Sequence, residues 1–164
     1  MSPLTERDIR GSFVNCTKGE ASRVSVPHDL AEWPWSELDY AGWRDPQSPA
    51  RGYLVTDVDG PLRGIVLRAP RSAIGAARKS MCSLCITTRS GGVSLMVAPR
   101  AGRRGQAGNT VGTYICSDLQ CSACVRGGRH TGGASVPETL GVEERVARLH
   151  RNLADFVARV CAAE

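Results

Sequence analysis

Five cysteines crowd a 43-residue window of this chain in the order Cys82-x2-Cys85-x30-Cys116-x4-Cys121-x2-Cys124, and this spacing constrains the fold more than any other feature. A Cys-x2-Cys turn lets two sulfurs meet one metal ion from a tight knuckle, and a second pair must return to complete a tetrahedron at about 2.3 Å per Zn–S bond. The residues between the pairs read as a β-hairpin leading into a short helix. Knuckle, hairpin and a helix whose first turn supplies a ligand is the order of a treble-clef zinc finger. Four thiolates fill the coordination sphere, so the expected cofactor is one structural Zn2+ with no open position for chemistry.

Two choices exist for the second pair. Cys121-x2-Cys124 has the conventional spacing. If Asp118 caps the helix, however, Cys121 sits in its first turn, where free N–H groups stabilise a thiolate, and Cys124 lies about 4.5 Å further along the axis. Cys116 ends the incoming strand and is then the natural partner of Cys121. This geometry favours Cys116 and Cys121, although either arrangement can reach the metal.

Composition supports a metal rather than disulfides. The N-terminal MSPLTERDIRG lacks the basic start and apolar run of a secretory signal, and no stretch approaches eighteen apolar residues. The chain therefore reads as cytoplasmic, where seven cysteines are better used on a metal than in disulfides. Aromatic residues make up only 5 % of the 164, so a staple helps a modest core. Cys16 and Cys161 read as small apolar packing groups, and His28, His130 and His150 as non-ligands.

Charge is uneven. Residues 61–130 hold eleven Lys/Arg against one Asp/Glu, whereas residues 1–60 hold six against ten and residues 131–164 four against five. Four thiolates around one Zn2+ contribute a net −2, so part of this basic excess balances the cluster itself. Residues 86–115 contain no His, Asp or Glu, which argues against a treble-clef nuclease, and there is no phosphate-binding glycine loop or nucleophile–base pair. No enzyme activity, membrane contact or small-molecule substrate is expected.

The coarse structural reading is α+β. Thr5 caps a short N-terminal helix. Residues 16–50 carry Pro27, Pro34, Pro46 and Pro49 with all three tryptophans, which reads as an ordered but irregular arm packed on the sheet. Two apolar runs around Asp59-Gly60 predict a hairpin with strands at about 52–58 and 62–69. GGVSLMVAPR and TVGTYIC supply two further strands, giving an antiparallel sheet of about four, with a glycine-rich loop between them. Ser117 or Asp118 caps the short helix that follows. Val142, Val146, Leu149, Leu153, Phe156, Val157 and Val160 recur at helical spacing and predict a C-terminal amphipathic helix. The expected organisation is one globular unit, with an N-terminal helix and arm over 1–50 and the zinc-finger domain over 51–164.

SFVNCTKGEA at 12–21, PWSELDYAGWRDP at 34–46, MCSLC at 81–85, SLMVAPRAGRRGQAGNTVGTYIC at 94–116 and DLQCS at 118–122 resemble actinobacterial members of the elongation factor G-binding family. These are similar to the C-terminal treble-clef zinc-finger domain of fusidic-acid-resistance proteins. The resemblance implies a module that binds elongation factor G and promotes its release from the drug-stalled ribosome. Carried over position by position, its Cys-x2-Cys and Cys-x4-Cys motif selects Cys82, Cys85, Cys116 and Cys121 and leaves Cys124 aside. The resistance proteins have a helical bundle ahead of this domain, and this chain has a short helix and a tryptophan-bearing arm in that place. The expected partner contacts, to the factor or to adjacent ribosomal RNA, are Arg89, Arg100, Arg103, Arg104, Arg126 and Arg129.

Overall fold

The computed structural model describes residues 1–58, 60–69, 79–90, 92–128 and 138–162, without the side chains of Lys79, Arg89 and Ser90. The first helix, α1 (Glu6–Ser12), starts where the sequence expects it: Thr5 Oγ1 accepts from the Asp8 N–H, and Asp8 Oδ2 accepts from the Thr5 N–H. The Thr17/Glu20 pair repeats the same reciprocal cap for a helix the sequence reading omits, α2 (Lys18–Ser22).

The hairpin around Gly60 forms β2 (Arg51–Thr56) and β3 (Arg63–Arg68), with Leu54 opposite Ile65 and Tyr53 opposite Val66. Gly60 sits at φ +98°, a conformation its missing Cβ permits. Both strands are buried on both faces, which is why they read as unbroken apolar runs rather than alternating ones. Tyr53, Val55 and Val66 point to one core with Ile9, Trp35 and Trp43; Leu54, Ile65 and Leu67 point to another with the cysteines and the C-terminal helix.

The sheet has five strands rather than four. The additional one is β1 (Ala41–Arg44), inside the supposed irregular arm and antiparallel to β2. Its AGWR sequence is too short and glycine-bearing to announce a strand, and pairing with β2 is what makes it one. The other strands of this sheet are β6 (Val93–Pro99) and β7 (Thr110–Cys116), and the order is β1-β2-β3-β6-β7, antiparallel throughout. A separate ribbon pairs β4 (Lys79–Met81) with β5 (Thr88–Ser90). The glycine-rich connection between β6 and β7 contains a helical turn, α3 (Arg103–Gln106).

Among the described residues, β3 and β6 meet at one paired position, Arg68 opposite Val97. Buried Asn15 completes this junction with its amide. Nδ2 donates to the carbonyls of Val66 and Pro99, each at 3.0 Å, while Oδ1 accepts from the Val66 N–H at 2.8 Å. One side chain thus satisfies backbone groups of both strands where the ladder is thin.

After β7 come a short helix, α4 (Cys121–Val125), and the long α5 (Val142–Cys161). In α5, Leu149, Leu153, Phe156, Val157 and Val160 are buried as the three-and-four spacing anticipates, whereas Val146 is half-buried and Val142, in the first turn, is exposed. Glu144 accepts from the Gly141 N–H at its start. At its end, the Ala101 N–H donates to the Val160 carbonyl and Arg100 Nη1 donates to the Arg159 carbonyl, satisfying acceptors the helix itself leaves open.

Candidate metal centre

Each cysteine of the centre is placed by local backbone. Cys82 and Cys85 follow β4 in a tight turn: the Ile86 N–H donates to the Cys82 carbonyl, and Ile86 adopts φ 60°, unusual for a β-branched residue. The Cys85 N–H points at Cys82 Sγ, at 3.4 Å. The Ser83 N–H donates to the Tyr114 carbonyl at 2.7 Å and moors this knuckle to β7. Cys116 is the last residue of β7. The chain then turns through Leu119 at φ 58°, whose N–H returns to the Cys116 carbonyl, and Cys121 opens α4.

The helix start differs from the expectation. Asp118 is not its N-cap; it accepts from the Gln120 N–H, and the left-handed Leu119 delays the helix until Gln120 serves as cap without a side-chain bond. Cys121 is nonetheless in the first turn. Its N–H is taken by the buried Tyr40 hydroxyl at 3.4 Å. Burial, and then the nearby Cys121, push the Tyr40 hydroxyl well above its usual range, so it stays a neutral phenol beside the sulfurs.

The four sulfurs of Cys82, Cys85, Cys116 and Cys121 all lie within 4.8 Å of one another, in residues no more than 2 % exposed. Cys82 Sγ is 3.7 Å from Cys121 Sγ, and Cys85 Sγ is 3.6 Å from Cys116 Sγ. A tetrahedron with Zn–S bonds of about 2.3 Å has edges of about 3.8 Å. The donor set and its spacing therefore fit one zinc ion. As bare thiols the group is ill-matched: hydrogen bonding with Cys116 draws Cys82 and Cys85 down, while Cys121 and then Cys124 push Cys116 up. A dication at the centre lets all four be thiolates together. Cys124 is also close, its Sγ 3.9 Å from that of Cys116.

The N-terminal segment braces the centre. Arg44 Nε donates to the Ser117 carbonyl at 2.7 Å, and Gln120 Nε2 reaches the Gly42 carbonyl at 3.4 Å. Gly42 admits no side chain: a Cβ there would lie 2.6 Å from the Tyr40 ring and 2.9 Å from the Leu119 carbonyl oxygen.

The expected basic residues are placed unequally. Arg100, Arg103 and Arg104 lie together on the β6–β7 connection. Arg103 is exposed; Arg100 caps α5 as described. Arg126, at the end of α4, binds inward with Nη1 and Nη2 at 2.6 and 3.2 Å from the Asp39 carboxylate. Arg129 and His130 lie outside the described residues, as does the side chain of Arg89.

Asp39 is the residue the sequence reading missed. Its side chain is 3 % exposed, and His150 of α5 contributes Nε2 at 2.7 Å from Oδ1. Ser122 Oγ accepts from the Asp39 N–H. Burial pushes the Asp39 carboxyl up, but Arg126, His150 and Ser122 together outweigh it and hold the group below its ordinary value. No local motif marks it, because its partners lie 87 and 111 residues away.

A knuckle, a hairpin (β6–β7) and a short helix converging on four buried thiols define a treble-clef zinc finger with a structural metal. The family model described as FBP C-terminal treble-clef zinc-finger matches residues 8–160, and the chain belongs to that family. No curated protein and no solved structure matches it. Among the described residues, no helix is long and apolar enough to cross a membrane.

Proposed function

We propose that this chain is a non-enzymatic, zinc-stapled cytoplasmic binding protein whose partner is translation elongation factor G, acting on the factor's release from the ribosome. Membership of the FBP zinc-finger family across residues 8–160 carries this reading. A fully thiolate zinc leaves no position for substrate or water, which supports binding rather than catalysis. The ligand set is Cys82, Cys85, Cys116 and Cys121, and the metal's task is to hold the β6–β7 hairpin and α4 in register.

The candidate contact surface is the β6–β7 connection with Arg100, Arg103 and Arg104; Arg89 and Arg129 are further candidate contacts on the charge of the sequence alone. Arg126, paired with Asp39, contributes mainly to internal structure. A second reading is favoured by the eleven-to-one excess of basic over acidic residues in 61–130: a zinc protein that grips ribosomal RNA phosphates without using the factor.

Pull-down with purified elongation factor G at two salt concentrations separates the readings. A complex with the isolated factor supports the first. Absence of a complex at low salt, together with salt-sensitive binding to ribosomal RNA, refutes it in favour of the second.

A further inference from the structure

We infer that Cys124 makes the zinc centre oxidant-sensitive: a peroxide-class oxidant joins Cys124 to Cys116 as a disulfide and removes one ligand from the metal. The centre contains one sulfur more than zinc uses, and that sulfur is in contact with a ligand. Cys124 Sγ lies 3.9 Å from Cys116 Sγ, close to the 3.6 and 3.7 Å that separate ligand pairs. Cys124 stands three residues after Cys121 on α4, so both side chains project from the same face of the helix.

Exposure separates the five. Cys124 is 8 % exposed, Cys85 2 %, and Cys82, Cys116 and Cys121 are at 0 %. Cys124 is thus the least enclosed residue of the five, and a sulfenic acid formed on it condenses with an adjacent thiol.

The steps balance. The Cys124 thiol takes one oxygen from the peroxide to become a sulfenic acid, releasing water. The Cys116 sulfur attacks the Cys124 sulfur, a bond forms between them, and hydroxide leaves to be protonated to a second water. Two thiol sulfurs are oxidised by two electrons overall and one peroxide is reduced. Cys82, Cys85 and Cys121 remain, one short of a closed tetrahedral set. Coupling two ligands to each other would remove two sulfurs at once; the Cys116–Cys124 bond needs only one ligand and the sulfur outside the set. Reduction of the disulfide by a dithiol restores the four-sulfur set. This inference does not depend on which macromolecule the protein binds.

The test uses the zinc-loaded full chain treated with hydrogen peroxide, with metal release followed by a chromophoric chelator. Release in Cys124→Ala is expected to be slower on the order of tenfold, as follows when the least enclosed cysteine is removed. Peptide mapping of the oxidised natural chain should show a Cys116–Cys124 bond. Cleavage before Asp118 separates Cys116 from the other two, and fragmentation between Cys121 and Cys124 distinguishes them. Zinc should rebind after dithiothreitol. Equal release rates in the two proteins, or a map in which Cys116 is joined to Cys121 or left unjoined, overturn the inference. The map alone decides the matter should Cys124→Ala bind zinc poorly.

Discussion

Replacing Asp39 with asparagine keeps the shape of the side chain and removes its charge, and the structure sets the expected cost. The native carboxylate receives two Arg126 nitrogens and His150 Nε2 in a site 3 % exposed. Breaking a fully buried ion pair costs about 3–5 kcal/mol, and a single hydrogen bond to a charged group contributes about 1.5–3 kcal/mol. Arg126 and His150 are 28 % and 46 % exposed, so water recovers part of the loss on their side. Asparagine also retains one acceptor. The net cost is therefore placed at about 2–3 kcal/mol, or a melting temperature lower by roughly 4–12 °C for a chain of this size. Thermal unfolding of zinc-saturated protein at pH 7 measures it. The pH dependence gives a second readout. Asp39 titrates below its ordinary value when folded, so its contribution is fully present above about pH 4 and is lost as pH falls through the folded value. The gap between the natural protein and Asp39→Asn should close in that acid range, since asparagine does not titrate. A loss below about 0.5 kcal/mol at neutral pH, typical of an exposed pair, would refute the argument that this cluster ties the arm to α4 and α5.

Cys121→Ser should reduce bound zinc below one per chain, and Cys124→Ser should leave it at one; metal analysis after gel filtration checks both, and the reverse result excludes the assigned ligand set. Removing the metal with a strong chelator should abolish the tertiary order of the knuckle and α4 because metal affinity and folding are coupled, visible as loss of near-ultraviolet circular dichroism. Gly42→Ala should destabilise by about 1–3 kcal/mol through overlap with Tyr40 and the Leu119 carbonyl, measured by chemical denaturation; a neutral result means that β1 does not press on the metal loop as described. Charge reversal at Arg103 and Arg104 should weaken partner binding and, if RNA phosphates are the target, lower the log–log salt slope by about 0.7–0.9 for each phosphate no longer neutralised; an unchanged affinity removes this connection from the interface.

What could be read from the chain alone is what short-range physics determines. The β2–β3 hairpin, the Thr5 cap and most of the apolar stripe of α5 all lie within a few residues of their consequences, and each appears where expected. The cysteine spacing was legible for the same reason: a knuckle and a strand-to-helix turn are local devices. β1 was not, since AGWR is a strand only because β2 offers it hydrogen bonds. The start of α4 was misplaced by the left-handed Leu119, a conformation leucine has no intrinsic preference for. Arg126 illustrates the limit for surface residues. Its charge is visible in the sequence, but its pairing with a carboxylate 87 positions earlier arises only once the fold has formed.

The thin junction between β3 and β6 gives the protein a preferred line of tearing. On one side lie β1, β2 and β3; on the other lie β6 and β7 with the metal. Only Arg68 and Val97 are in register across it among the described residues, and the amide of Asn15 laces the two sides together. An opening along this line must free Asn15 and also break the Arg44–Ser117, Gln120–Gly42 and Asp39–Arg126 bonds, while each ribbon keeps its own internal ladder. Amide exchange at Val66 should precede exchange at the centres of both ribbons, since its N–H is held by the Asn15 side chain.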